Sequence, residues 1–159
     1  MQPAPGLRLA TLDDVAELVR LRGVMMDALA VADEPTWAAA CAAYLHEALA
    51  DESSGAVVAD DPCEPGRLVA CGIGTIIRRL PGPNTPDGRY GYIASMATEA
   101  PWRGRGLAAG IVVGLLEWFG RRDVHAVGLH ASAAGEPIYR RLGFADAQFP
   151  ELRWRRSAG

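Results

Sequence analysis

The chain of 159 residues is long enough for one domain with its own core, and 50% hydrophobic against 22% charged residues is the balance of a soluble globular protein. No apolar run approaches the ~20 residues of a membrane span, and no basic-then-apolar leader opens the chain, so a cytoplasmic protein without membrane contact is the expectation. All 16 basic residues are Arg, which excludes a P-loop lysine, a Schiff-base lysine and a lysine general base.

The net charge of −3 conceals an asymmetry: residues 1–66 hold 12 acids and 3 Arg, whereas residues 67–159 hold 7 acids and 13 Arg. The basic part suits an anionic ligand and the acidic part a cationic one, unless both are simply solvated faces. Overall acidity and the lack of a dense basic stripe argue against nucleic acid. Cys41, Cys63 and Cys71 lack paired spacing, and His46, His125 and His130 lack metal spacing. Neither a disulfide framework nor a metal site is expected.

In chain order, Leu7–Leu9 reads as a short strand, and Thr11 ahead of Asp13 and Asp14 reads as a helix N-cap. Helical spacing follows from Val15 to Leu29. A second helix starts near Asp33–Pro35 and runs through Trp37, Cys41, Tyr44, Leu45 and Leu49. Strands are predicted at Gly55–Asp60, Arg67–Leu80 and Arg89–Thr98, with loops at Asp61–Gly66 and Pro81–Gly88. Then come a strongly apolar helix over Gly106–Arg122, a strand over Val124–His130 and a short helix over Ala134–Leu142 with Gly143 as its C′ residue. A last strand is expected near Phe149–Arg155. The order βααβββαβαβ, without internal repeats, predicts one α/β (α+β) domain over residues 1–159.

Chemistry concentrates where the third long strand ends: Met96-Ala97-Thr98-Glu99-Ala100-Pro101-Trp102-Arg103-Gly104-Arg105-Gly106-Leu107-Ala108. A strand stops, a proline forces a turn, and a glycine-bearing segment opens a helix. Amides in a first helical turn have no intrahelical acceptor and the helix dipole adds partial positive charge, so such a terminus suits a phosphate. Gly104 and Gly106 let the main chain come close, and Arg103 and Arg105 add fixed charge. Gly110 and Gly114 are better explained by packing on a sheet. The G-x-G-x-x-G dinucleotide pattern is absent. An RNA-binding reading of the Arg-Gly turn would need stacking aromatics on a strand face, and none cluster.

A second segment, Tyr139-Arg140-Arg141-Leu142-Gly143-Phe144, closes the helix after the fifth predicted strand. Together, Arg103-x-x-Gly106-x-Ala108 and Tyr139-x-x-Leu142-Gly143-Phe144, in this order and spacing, resemble the acyl-CoA motif and the downstream segment of the GCN5-related N-acetyltransferase (GNAT) superfamily. The resemblance is specific from Tyr90 to Phe144. It implies a GNAT fold, a mixed, mostly antiparallel sheet of six to seven strands flanked by about four helices. It also implies acetyl-CoA as co-substrate, no metal, and acetyl transfer to a primary amine, small molecule rather than peptide or protein, by direct attack in a ternary complex. Met96, Ala97 and Thr98 would meet the pantetheine arm, and the segment Arg103, Gly104, Arg105, Gly106, Leu107 and Ala108 the pyrophosphate. Ser132 stands where relatives often contact the cofactor, and it equally suits capping the short helix. Tyr139 would be the general acid that protonates the departing thiolate, a phenol being a sensible proton source for a thiol of similar acidity.

The general base is less defined. Two positions that hold Glu in some relatives fall on Tyr92 and Val127; Tyr92 can relay through water, and His130 is a residue type that exchanges protons near neutral pH. Asp27, Asp33, Glu34, His46 and Glu47 form an acidic rim or a plain surface, and Trp37, Tyr44 and Trp102 line a pocket or pack. A homodimer is compatible with the resemblance. The rival reading is a non-catalytic acyl-CoA sensor on the same fold.

Overall fold

The computed structural model describes residues 5–28 and 36–157. Its elements are β1 (Leu7–Leu9), α1 (Val15–Ala28), α2 (Thr36–Ala50), β2 (Ser54–Asp60), β3 (Leu68–Arg78), β4 (Arg89–Thr98), α3 (Leu107–Gly120), β5 (Val127–Leu129) and α4 (Glu136–Arg141). Leu29, Asp33, Glu34 and Pro35 lie outside the described residues. The strands form one sheet in the order β1-β2-β3-β4-β5, antiparallel throughout except for the parallel β4–β5 pair.

Thr11 is the N-cap of a short 3-10 turn, Leu12–Asp14, that runs directly into α1, and its amide donates to the Asp14 carboxylate at 2.7 Å. Two expectations are corrected. The strand predicted over Val124–His130 shrinks to Val127–Leu129, because the Val124 amide is taken by the Phe119 carbonyl at the end of α3. The sheet has five strands among the described residues, not six to seven, since Phe149–Arg155 pairs with nothing. Pro150 offers no amide to a ladder, and Phe149 is out of phase with Leu152 and Trp154, so the three do not make one strand face; all three side chains are exposed.

The sheet separates two apolar layers. Leu107, Ile111, Val112, Leu115, Trp118 and Phe119 of α3 pack on Val57, Val69 and Ile93, while Val15, Leu18 and Leu21 of α1 and Leu45 of α2 pack on Val58, Leu68 and Ile73. Bulky rings reach the sheet because strand glycines make room. A Cβ at Gly55 would lie 2.4 Å from the Trp118 ring, and one at Gly74 or Gly91 would lie 2.8 Å from Phe119. Gly110 and Gly114 pack against Leu7 and Val57, as their spacing suggested.

Charged groups tie the edges. Arg8 of β1 donates to both carboxylate oxygens of Asp14, at 2.8 and 2.9 Å, and to both of Asp60. The Arg8 guanidinium holds the Asp14 carboxyl below the usual carboxylate range. A carboxyl whose pKa falls on folding stabilises the native state above its unfolded pKa and loses that contribution as pH drops through the folded value. Asp14→Asn is therefore expected to cost about 1–2 kcal/mol at pH 7 and progressively less as pH falls below the usual carboxylate range; urea unfolding over a series of falling pH values measures the decline.

Candidate active site

β4 and β5 pair only over Gly91–Ile93 and Val127–Leu129, and beyond Ile93 the two strands diverge. The far end of β4, Ala94–Thr98, keeps β3 on one side and faces an opening on the other. A bulge sharpens this divergence: Ser95 and Met96 together oppose Gly72, and Ser95 adopts φ +55. The resulting cleft encloses about 870 Å3. Its walls are the end of β4, the turn into α3, the residues after β5, the start of α4, and Val24 and Met25 of α1.

The turn is built as a concavity. Gly104 and Gly106 have φ +74 and +79, and a Cβ at either would have no atom within 4 Å, so both open toward space. The first carbonyl-bound amide at the head of α3 is that of Gly110, on the Gly106 oxygen at 3.1 Å. The amides of Gly106, Leu107 and Ala108 meet no backbone acceptor among the described residues. Arg103 braces the turn through Nε to the Thr98 carbonyl at 3.1 Å. Arg105 lies over Trp102 at 4.7 Å and donates to the Pro101 carbonyl. A helix N-terminus whose first amides meet no backbone acceptor, beside a fixed guanidinium, is an arrangement that can hold a phosphate.

Met96, Ala97, Thr98, Arg103, Gly104, Gly106, Leu107, Ala108, Ser132 and Tyr139 all line the one cleft, but Arg105 does not. Ser132 accepts the Gly135 amide at 3.2 Å through its hydroxyl, so it supports the start of α4 while also lining the cleft. Tyr139 is nearly buried, and burial pushes its phenol above the usual range, which keeps it protonated. Gly143, at φ +95, terminates α4 as a left-handed C′ residue, and the Phe144 amide returns to the Tyr139 carbonyl.

Tyr92 projects from the face of β4 opposite Gly91 and Ile93, which face α3, and its hydroxyl lies 2.6 Å from His130 Nδ1. His130 borders both the cleft and a second cavity of about 970 Å3 on the far side of β5, where Tyr92 and Glu151 also stand. Glu99 is held by Arg20 at 2.6 Å and Arg67 at 2.9 Å, a brace between α1, β3 and the turn. His46, Glu47 and Asp27 are exposed and border neither cavity, Tyr44 reaches Ser54, and Trp102 is a core residue on the cleft wall. Cys71 is fully buried with its thiol pushed up to about 12, so it supplies no nucleophile.

Two site residues escaped sequence reasoning. Ser95 carries a buried hydroxyl without a partner on the cleft wall, and a bulge leaves no mark in a strand's residue types. Glu151 reaches His130 across 21 positions of sequence, a separation no local pattern reports. Among the described residues no cluster of His, Cys, Asp or Glu has metal-holding geometry, and no helix is long and apolar enough to cross a membrane.

The family model for the acetyltransferase (GNAT) family matches residues 23–144, and the chain belongs to that family as an N-acetyltransferase. A predicted acetyltransferase from Clostridium acetobutylicum, solved with acetyl-CoA, is 28% identical with a TM-score of 0.84, covering 93% of this chain and 95% of its own. The fold also matches glucosamine-6-phosphate N-acetyltransferase from Arabidopsis thaliana, at 16% identity, TM-score 0.72 and coverage of 96% and 99%. Ribosomal-protein-alanine N-acetyltransferase from Brucella melitensis biovar Abortus 2308 matches at 24% identity, TM-score 0.66 and coverage of 97% and 100%. No curated protein matches significantly.

Proposed function

We propose that the cleft between the ends of β4 and β5 binds acetyl-CoA and that the chain transfers its acetyl group to a primary amine of a small molecule. One observation carries the reading: an unpaired strand edge, a glycine-lined helix N-terminus and a protonated tyrosine converge on a single cleft. Met96 and Thr98 offer backbone groups at the open edge to an extended amide chain, as an added strand would use them, while Ala97 between them turns its backbone to β3, as the Glu99 amide on Val69 does two residues on, and lines the cleft. Amides of Gly104, Gly106, Leu107 and Ala108, with Arg103 beside them, hold the diphosphate. Ser132 adds a hydroxyl from the opposite wall.

Acetyl-CoA supplies an activated acetyl thioester. The amine nitrogen bonds to the acetyl carbon as the carbon–sulfur bond breaks and its electron pair leaves with sulfur. Tyr139 gives its hydroxyl proton to that sulfur and is reprotonated by the proton the attacking nitrogen sheds on becoming an amide. With its phenol above the usual range, Tyr139 enters the step carrying its proton and yields it only as negative charge gathers on the sulfur.

The cleft lining holds no carboxylate, which is the one feature favouring a non-catalytic acyl-CoA sensor. Two measurements separate the readings. Acetyl-CoA at 100 times its Kd stabilises by about 2.7 kcal/mol, a rise in Tm of about 5–10 °C for a chain of this size. Thiol release from acetyl-CoA is then followed with spermidine, 2-phenylethylamine, glucosamine 6-phosphate and an alanine-initiated peptide. Turnover of a small amine is expected; a Tm shift with no thiol release from any of the four identifies the sensor, and no Tm shift removes the cleft assignment.

A further inference from the structure

We propose that Glu151, in the segment after α4, fixes His130 as the acceptor of the Tyr92 proton, so that Tyr92 takes up the proton the acceptor amine must lose. The inference rests on the acetyl-transfer reading and names the path by which the proton leaves.

Four side chains from three parts of the chain form one line. Arg153 Nε donates to Glu151 Oε1 at 2.8 Å, and Glu151 Oε2 meets His130 Nε2. His130 Nδ1 lies 2.6 Å from the Tyr92 hydroxyl, with the two rings edge to face at 5.6 Å. A carboxylate can only accept, so Nε2 carries a proton, and in a neutral imidazole Nδ1 is then the acceptor. Tyr92 in turn donates to it. The pair of His130 and Glu151 is half-exposed, at 51% and 48% of the side chains. Such a pair adds little to stability, so its value is in the orientation it imposes.

The chemistry needs that orientation. Burial and the Glu151 carboxylate both push the Tyr92 phenol upward, so it holds its proton at neutral pH. A protonated phenol accepts a proton only by passing its own onward. An alkyl ammonium R–NH3+ gives a proton to Tyr92 Oη as the Tyr92 proton moves to His130 Nδ1. The amine is left neutral with its lone pair, and an imidazolium is left beside Glu151. His130 then returns one proton to water, which reaches its half-exposed ring. Proton count and charge balance without any further reactant. Tyr92 lines the second cavity, which shares Leu129, His130 and Tyr139 with the acetyl-CoA cleft, so in this scheme the amine enters through the second cavity and touches Tyr92 there. Glu151 is a positioning residue acting through His130, the logic by which an acid orients a catalytic histidine elsewhere.

Long-range 15N–1H NMR of the imidazoles provides a readout independent of turnover. Native His130 is expected as a single Nε2–H tautomer, and Glu151→Ala as a mixture of tautomers. In the thiol-release assay with the same four amines, Glu151→Ala is expected to lower kcat about tenfold or more with the acetyl-CoA Tm shift retained. Glu151→Asp should recover part of the rate. Glu151→Ala added to Tyr92→Phe should cause no further loss, because Glu151 acts only through the Tyr92 relay. A native tautomer mixture, a wild-type kcat in Glu151→Ala, or losses that multiply in the double variant would each overturn the proposal. Absence of thiol release by the native protein with all four amines overturns the transfer reading and this one together; failure confined to the variants overturns only this one.

Discussion

Tyr139→Phe is expected to lower kcat about 100-fold, the lower end of what a positioned proton donor contributes, while the Kd for acetyl-CoA stays nearly unchanged. The substitution removes one oxygen and leaves the ring, which packs against Phe144 at 6.0 Å and against the Gly135 backbone. Stability and the shape of the cleft are therefore preserved, and about 2.7 kcal/mol of transition-state stabilisation is what the rate ratio reports. Steady-state thiol release with acetyl-CoA and the best amine of the panel gives kcat, and calorimetric titration gives Kd. An unchanged kcat removes Tyr139 from the mechanism. Equal losses in both would make it a binding residue.

The largest effect on stability is expected at Phe119. Its ring is fully buried, sits edge to face with Trp118 at 5.0 Å, and covers Gly74 and Gly91 on two adjacent strands. Phe119→Ala is expected to cost about 3–5 kcal/mol, a large share of the ~5–15 kcal/mol that keeps such a domain folded. Neighbouring side chains commonly move in to shrink a cavity; glycines have none to move, which places this site toward the upper end. Urea unfolding at pH 7 measures the loss, and a cost below about 1 kcal/mol would show that α3 can settle onto the sheet without the ring.

The elements that the residues announced most clearly were those whose apolar pattern is set by a full layer on one face. β4 has its predicted bounds, Arg89–Thr98, and α3 falls inside the predicted Gly106–Arg122. Where a helix end competes for the same backbone groups, pattern misled: Val124 looks like strand, yet its amide closes α3. Phe149, Leu152 and Trp154 look like a strand face, yet Pro150 and their spacing deny them a ladder. The cleft was legible as two motifs, since a glycine turn before a helix and a Tyr-to-Phe helix end are local chemistry. Ser95, Glu151 and the meeting of Tyr92 with His130 were not, because bulges and contacts across 21 to 38 positions are products of the assembled sheet.

The parting of β4 from β5 after three residue pairs gives the protein two arms joined at a short seam. One arm carries the glycine turn and the other carries Ser132 and Tyr139, so neither alone presents a complete grip. A guest lying along the gap would supply the rungs that the chain itself leaves out, and would in doing so fasten the arms to each other. Affinity for such a guest and cohesion of the last third of the chain would then be linked, so that a substitution loosening the seam would weaken the grip without touching any group that makes contact.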